Sequence, residues 1–431
     1  MISITYLFHS GFALTTDCCI LIFDYWMDPS GALPRIISTN ADKPVYVFAS
    51  HFHEDHFTKE IFRWRSSRPN TTFTYILSKD ILRHRRAAKQ DADMWLAKGG
   101  SWEDANLKVT ATGSNDSGVS WIVETDGRRI FHAGDLCNWY ARYLVDNQES
   151  GEIYSPEFGR YVNPTAEEKR YLSELKDIKK ICSSFDLVMF PVDGRIGNGY
   201  TLGARQFIAL FSVGLFVPMH FVMSGYESAR RMSPFCEEKN IPFWNILNDG
   251  DSISISDDII IRHATTLDLP RLREIFTIAR QFMVDTGNPN QWDNDYPSDA
   301  LLKQDILNRD CYIVKHNNQA VATFTLHQGV DPTYNIIYEG HWLNNHPYAT
   351  IHRIASTGAL KGILHLATLF AFQLTDNIRI DTHRDNKVMQ HALSKEGFKY
   401  CGLIRCWNGS ERVAYQICVE DLSIRNLKTK L

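Results

Sequence analysis

The 431-residue sequence has no apolar run near the roughly 18 residues that a membrane span needs, and its opening "MISITYLFHSGF" lacks the basic start and small-residue cleavage site of a secretory signal. It has no CxxC pair and no regular cysteine framework. Its nine cysteines are odd in number, with Cys18 and Cys19 adjacent, which excludes a disulfide scaffold. It also lacks a charge imbalance: 46 basic residues stand against 50 acidic ones, and a formal charge of -4 makes no field for nucleic acid or a lipid surface. The basic cluster "RHRRAAK" (83–89) reads as one solvated helix face. Internal repeats and low-complexity segments are missing too. These absences point to a cytoplasmic protein acting on small molecules, with no membrane and no nucleic-acid partner; they leave open whether copies of the chain associate into a homo-oligomer.

What is present is a globular composition, 44% apolar and 22% charged, over a length that suits two domains. Up to about residue 256 short strand-like runs alternate with turns, among them "CILIFDY", "PVYVFAS", "RRIFHAGD" and "LFVPMHF", with helices expected over 162–183 and 203–211. Few helices among many strands predict a two-sheet layered α/β unit. After "SDD" (256–258) the pattern restarts: a strand, a cap at Thr266 or Asp268, Pro270 in a first turn, then Leu269, Leu272, Ile275, Phe276 and Ala279 at helical spacing. The predicted domains are 1–256 and 257–431.

The densest chemistry lies in "FASHFHEDHF" (48–57), which follows an apolar run and places three histidines and two acids within six positions. Unpaired buried charge is costly, and a divalent cation wants imidazole and carboxylate donors converging from several directions. His51 and His53 can serve one ion, while Asp55 and His56 reach a second or hold the attacking water. Further donors close other apolar runs: Asp135 after "RRIFHAG", His220 after "LFVPM", and His9 and Asp24 after earlier strands. His132 is expected in the core, and Asp193 ends a strand or begins a turn.

HxHxDH at 51–56, "HAGD" and "PMH" resemble the metallo-β-lactamase superfamily, and His9 and Asp24 are similar to its ascorbate-6-phosphate lactonase-like branch. The resemblance implies an αββα sandwich and a metal-dependent hydrolase in which the metal activates water against an ester, lactone, phosphodiester or amide. It implies that His51 and His53 bind one ion, that Asp55, His56 and His220 bind another, and that Asp135 bridges. The third histidine usual on the first ion is missing between these motifs. Asp116 in "GSNDSGVS", rather than Asn115, is the expected substitute, because an anion binds a cation better than an amide does. One or two zinc ions are expected, with manganese or iron favoured by an oxygen-richer shell.

In the C-terminal half a strand (349–355) runs through a glycine-containing turn into an apolar helix, whose free amides suit an anion. "NIRIDTH", "DNKVMQHALSKEGF", "KYCGLI" and "RVAYQICV" then read as strand, helix, strand, strand. This order resembles a GNAT acyltransferase, with "IRHATTLDLPRL" similar to that family's opening. The resemblance implies an α+β domain with a mixed sheet, and acetyl-CoA held by amides from Ser356 through Leu360, Lys361, Gly362, Ile363 and Leu364, with Asn386 on the cofactor arm. Ala359 and Leu364 depart from the family's turn, where Leu364 threatens to crowd the phosphates. Leu393 stands where a tyrosine often protonates the leaving thiolate. His383 and Glu339 are the candidates for proton transfer, and "GNPNQWDNDYP" (287–297) is a candidate acceptor pocket. The combined expectation is a bifunctional enzyme, a metal-dependent hydrolase joined to an acyl-CoA-dependent N-acyltransferase. The alternative is one catalytic domain beside a ligand-binding or regulatory module.

Overall fold

The computed structural model describes residues 2–146, 151–156, 159–256, 259–292, 295–317, 319–407 and 409–418. The chain divides into two compact units, Met1–Ser252 and Ile253–Leu431. Among the described residues no helix is long and apolar enough to cross a membrane.

In the N-terminal unit, strands β1 (Ile2–Phe8), β2 (Gly11–Thr15) and β3 (Ile20–Phe23) form an antiparallel meander, which β4 (Val45–Ala49), β5 (Phe73–Ser78) and β6 (Met94–Leu96) extend in parallel. A second sheet runs β7 (Ser101–Glu103), β8 (Leu107–Gly113), β9 (Val119–Thr125), β10 (Arg128–His132), then, beyond a short hairpin of β11 (Ile153–Ser155) and β12 (Arg160–Val162), β13 (Ser184–Pro191) and β14 (Ser212–Met219). The two-residue period of a strand decides the layers. In β4, Val45, Val47 and Ala49 join Leu33, Ile36, Ile61 and Trp64 of the helices Ala32–Thr39 and Ile61–Ser67 on the outer face. Phe48 points the other way, toward Trp121 of β9 at 5.7 Å, while Phe23 stacks on His132 of β10 at 5.1 Å. On the far face of the second sheet Phe131 and Phe185 meet Phe207 of the helix Leu202–Leu210. The helix predicted over 162–183 runs Pro164–Ile181, capped by the Asn163 side chain. The result is an αββα sandwich.

The C-terminal unit opens with β15 (Ser252–Ile255), whose Ser254 and Ile255 pair with β16 (Ile259–His263). Its sheet continues antiparallel through β17 (Cys311–His316), β18 (Gln319–Gln328) and β19 (Ala349–Ser356). Strands β20 (Asn377–Thr382), β22 (Glu411–Cys418) and β21 (Lys399–Arg405) complete a mixed sheet. Alternation again separates two cores: Cys311 and Ile313 pack with the helix Leu269–Asp285, whereas Tyr312 and Val314 pack with the helix Ile363–Ala371. Parallel pairing of β19 with β20 covers only Ala349–Ile351 and Ile378–Ile380; β19 then runs on to Ser356, and the two strands part.

His263, at the end of β16, lies with its ring 4.3 Å from that of Tyr312. Burial, with help from Arg309 and Arg262, pushes its pKa down to about 3. The folded imidazole therefore stays neutral while the unfolded one protonates below about pH 6.5, so stability falls as pH drops from there toward 3, by at most about 1.4 kcal/mol per unit. Thermal melts of the full chain are expected to show wild type losing more than His263→Phe as the pH falls. Parallel pH profiles would contradict this.

Candidate metal centre and acyl-transfer cavity

The loop that leaves β4 is fixed before its histidines begin. Ser50 donates its backbone N–H to Asp24 Oδ1 at 2.7 Å and its hydroxyl to Asp24 Oδ2 at 2.6 Å, and its carbonyl accepts from Val119 N at 3.0 Å. Gly118 and Gly134 make this approach possible. Both have positive φ, and a Cβ at Gly118 would lie 2.0 Å from the Ser50 carbonyl oxygen. The second sheet is thereby held against the loop that carries His51, His53, Asp55 and His56.

These side chains meet the residues at other strand ends. His51 Nε2 lies 2.9 Å from His53 Nδ1 and 3.1 Å from Asp135 Oδ2. Asp135 Oδ1 lies 3.0 Å from His56 Nε2 and 3.4 Å from His220 Nε2, and Asp55 Oδ2 lies 3.3 Å from His9 Nε2. The donors fall into three overlapping groups, His51/His53/Asp55, His51/His56/Asp135 and His9/Asp55/His56/His220, with the donor atoms of each group within 4.8 Å of one another.

The fit to a cation can be judged from satisfaction. His56 Nε2, Asp135 Oδ1 and both ring nitrogens of His9 are buried and make no hydrogen bond. Buried polar atoms are nearly always paired. His56 Nε2 and Asp135 Oδ1 are close, yet not in donor–acceptor geometry, which is the relation of two ligands sharing an ion.

Outside this ring of donors stands a second set that aims them. Asp24 Oδ2 holds His56 Nδ1 at 2.7 Å, the Ser50 hydroxyl lies 3.0 Å from His51 Nδ1, and Asp193 Oδ2 holds His220 Nδ1 at 2.9 Å while accepting from Arg195. Each of these contacts leaves an Nε2 facing the centre. His9, Asp24 and His220 all take positive φ, at 56°, 41° and 64°, a conformation costing a non-glycine residue roughly 1–2 kcal/mol. The bond from His220 N to the His9 carbonyl, 3.1 Å, ties two of these bends together.

Charge follows geometry. Burial raises the Asp135 pKa, but the imidazoles of His56, His51 and His220 outweigh it and hold the carboxyl well below its usual range. Burial opposes protonation of His56, yet Asp135 and Asp24 lift its pKa well above normal. Burial pushes His9 down to about 4, so its imidazole is neutral.

Thus His51, His53, Asp55, His56, Asp135 and His220 come together, while Asp116 lies at their margin, its pKa raised by desolvation and by the Asp135 charge. Asp116 is exposed on the 114–118 turn, where its N–H donates to Ser114 Oγ at 3.2 Å, and it joins none of the donor groups. Asn115 is committed to the Cys137 backbone. The additional imidazole comes from His9, read from sequence only as one of several strand-end residues. His132 is a core residue, its Nε2 2.9 Å from the Ser10 carbonyl oxygen.

In the C-terminal unit a cavity of about 510 Å³ lies where β19 and β20 part; Gln291, Arg353, Asp381, His383, Asn386 and Arg412 are among its lining. Gly362, with φ 76°, caps the helix Ile363–Ala371, and both it and Lys361 are exposed. Leu360 and Leu364 are partly buried and pack against the core. The Ser356 hydroxyl accepts from Gly358 N at 3.0 Å. Asn386 Oδ1 caps Met389 N at 3.0 Å and its Nδ2 donates to Gln291 at 2.9 Å, which engages both ends of the amide within the protein. Leu393 is fully buried core. His383 lines the cavity, its pKa lowered by burial and by Arg412. Glu339 is exposed, has φ 54° and does not line the cavity, because its turn points it to solvent. Of the segment 287–297, Gln291, Trp292 and Tyr296 line the cavity, while 293–294 lie outside the described residues. Sequence reading passed over three lining residues, Asp331, His352 and Asp381; "TIHRI" and "NIRIDT" carried the signal, a polar residue breaking an apolar strand.

No protein-family model matches the sequence. A curated relative from Korarchaeum cryptofilum, a UPF0173 metal-dependent hydrolase, is 25% identical over 226 residues, 51% of this chain and 83% of that protein. Among solved structures, a GNAT-family acetyltransferase from Streptococcus agalactiae is 32% identical, with 37% of this chain and 95% of that one covered and a TM-score of 0.34. A Thermotoga maritima protein described as a zinc-dependent hydrolase of the metallo-β-lactamase superfamily is 15% identical, with 51% and 76% covered and a TM-score of 0.27. By sequence likeness, the chain joins a unit of the GNAT acetyltransferase family to a unit similar to a metal-dependent hydrolase.

Proposed function

We propose that the protein is bifunctional: residues 1–256 hydrolyse a small-molecule ester, lactone, phosphodiester or amide with a bound metal, and residues 257–431 transfer an acyl group from acetyl-CoA to an amine. The observation that carries the hydrolase reading is the set of buried, unbonded donor atoms on His9, His56 and Asp135. His51 and His53 would hold one ion and His9, Asp55, His56 and His220 a second, with the Asp135 carboxylate facing both sets of donors. With imidazoles outnumbering carboxylates, the donor set suits zinc better than manganese. A divalent cation there supplies Lewis acidity and water that ionises near neutral pH. Asp55, whose side chain is 32% exposed, would be placed to accept a hydrogen bond from an attacking water. Asp24, Ser50 and Asp193 keep the imidazoles of His56, His51 and His220 turned inward.

For the acyltransferase, the supporting observations are the parted strands, the free helix start at Gly362 and leucines that fold back onto the core. His383, whose pKa is lowered by burial and by Arg412, lines the same cavity.

The test has two arms. Hydrolysis of p-nitrophenyl acetate, bis-p-nitrophenyl phosphate and γ-butyrolactone is to be measured before and after chelation and zinc return; at least one activity should vanish and come back. Calorimetry with acetyl-CoA should give one site per chain. Activity indifferent to chelation would overturn the first reading, and absence of acetyl-CoA binding the second.

A further inference from the structure

We propose that His352 is the proton acceptor of acyl transfer, held by Asp331, and that Asp381 anchors the cationic nitrogen of the acceptor; this assignment rests on the acyltransferase reading above. His352 sits on β19 where the strands part, lines the cavity, and its side chain is 19% exposed. Its Nε2 lies 2.8 Å from Asp331 Oδ2. That carboxylate is itself fixed, because Oδ1 accepts from Thr333 N at 2.9 Å and from Thr333 Oγ1 at 2.7 Å. Nε2 therefore carries the hydrogen, and the lone pair is on Nδ1.

Nδ1 lies 3.9 Å from Asp381 Oδ1, too far for a direct bond. An ammonium nitrogen about 2.8 Å from each atom spans that gap. Asp381 is held in place by the Tyr334 hydroxyl, which donates to Oδ1 at 2.6 Å, and its Oδ2 lies 3.8 Å from Arg412 Nε. The groups around the imidazole are thus Asp331 from the loop after β18, Tyr334 beside it, Asp381 on β20 and Arg412 on β22. Trp407, 78% exposed, stands at the cavity wall, where an indole can meet the rest of a cation.

In the reaction the acceptor ammonium gives one proton to His352 Nδ1. The lone pair so freed forms the C–N bond at the thioester carbonyl carbon. The C–S bond breaks, the thiolate leaves with its electron pair, and it takes the second proton shed by nitrogen. The first proton passes from the imidazolium to solvent.

The test uses the full chain with acetyl-CoA and three amines, spermidine, tyramine and glycinamide, reading release of the CoA thiol. Wild type is expected to turn over at least one. His352→Gln should lower kcat about 100-fold or more with acetyl-CoA binding unchanged. Its residual rate should climb about tenfold per pH unit toward the amine's own pKa, because only free base then reacts; wild type should be flatter. A rate within threefold of wild type with an unaltered pH profile overturns the proposal, as does acetyl-CoA binding without turnover of any of the three amines. Failure of wild type to bind acetyl-CoA removes instead the reading on which it rests, and the proposal falls with it. If circular dichroism shows His352→Gln unfolded, Asp381→Asn decides: a KM for the amine raised at least about tenfold supports the anchor, and an unchanged KM overturns it.

Discussion

Asp135→Ala is expected to lower kcat/KM for hydrolysis roughly a thousandfold or more, equivalent to about 4 kcal/mol of transition-state stabilisation. The reason is position: one carboxylate faces His51 through Oδ2 and both His56 and His220 through Oδ1. Without it, the donors on one side lose their link to those on the other. The charge balance changes as well, since this neighbour is foremost among the groups that raise the His56 pKa against burial. The check is steady-state kinetics on the chelation-sensitive substrate, with circular dichroism to establish that the variant is folded. A rate within tenfold of wild type would remove Asp135 from the reacting centre.

Asp24→Ala is expected to cost about 3–5 kcal/mol of stability, the range for removing one partner from a buried ion pair. Asp24 is fully buried and serves the Ser50 N–H, the Ser50 hydroxyl and His56 Nδ1 at once. Its loss strands three buried polar groups. Because it also sets the orientation of His56, metal affinity should fall about 10–100-fold. Burial raises the Asp24 pKa, but His132, His56 and Ser50 bring it below the ordinary value. A carboxyl held lower in the folded state contributes stability above its unfolded pKa, near 3.9, and loses it as pH falls through the folded value. The gap between wild type and variant in urea unfolding should therefore be widest near neutrality and narrow in acid. Equal stability at pH 7 would contradict the role.

Much of the N-terminal site could be read from sequence because its donors lie at the ends of apolar runs, and strand ends gather along a sheet edge. Asp116 joins none of the three donor groups, although desolvation and the Asp135 charge raise its pKa. Sequence distance places a turn there, but only the fold shows that its carboxylate stays outside the donor groups, and that the positive φ of His9 and its bond to His220 N carry a residue near the start of the chain into one of them. Asp193 was legible as a strand end, but its hold on His220 was not, because the pair is made between neighbouring parallel strands.

The C-terminal unit shows the limit from the other side. The element order could be read from periodicity, whereas the direction of a side chain at a turn could not: Leu364, partly buried, packs against the core. Glu339 was chosen for its chemistry and lies exposed. His352 lay unremarked in a strand whose pairing with β18 shifts register between Thr323 and Thr325, a break in alternation that no local pattern announces.

The most direct measurement is the metal content of the purified full chain beside His53→Ala. His53 is half-buried while His9, His51, His56 and His220 are fully buried, so this substitution disturbs packing least. Elemental analysis should find one or two equivalents of a divalent metal, zinc foremost, in wild type and at least one fewer in the variant. A wild-type protein that takes up no metal when supplied with it, or a variant that keeps the full wild-type stoichiometry, would contradict the account.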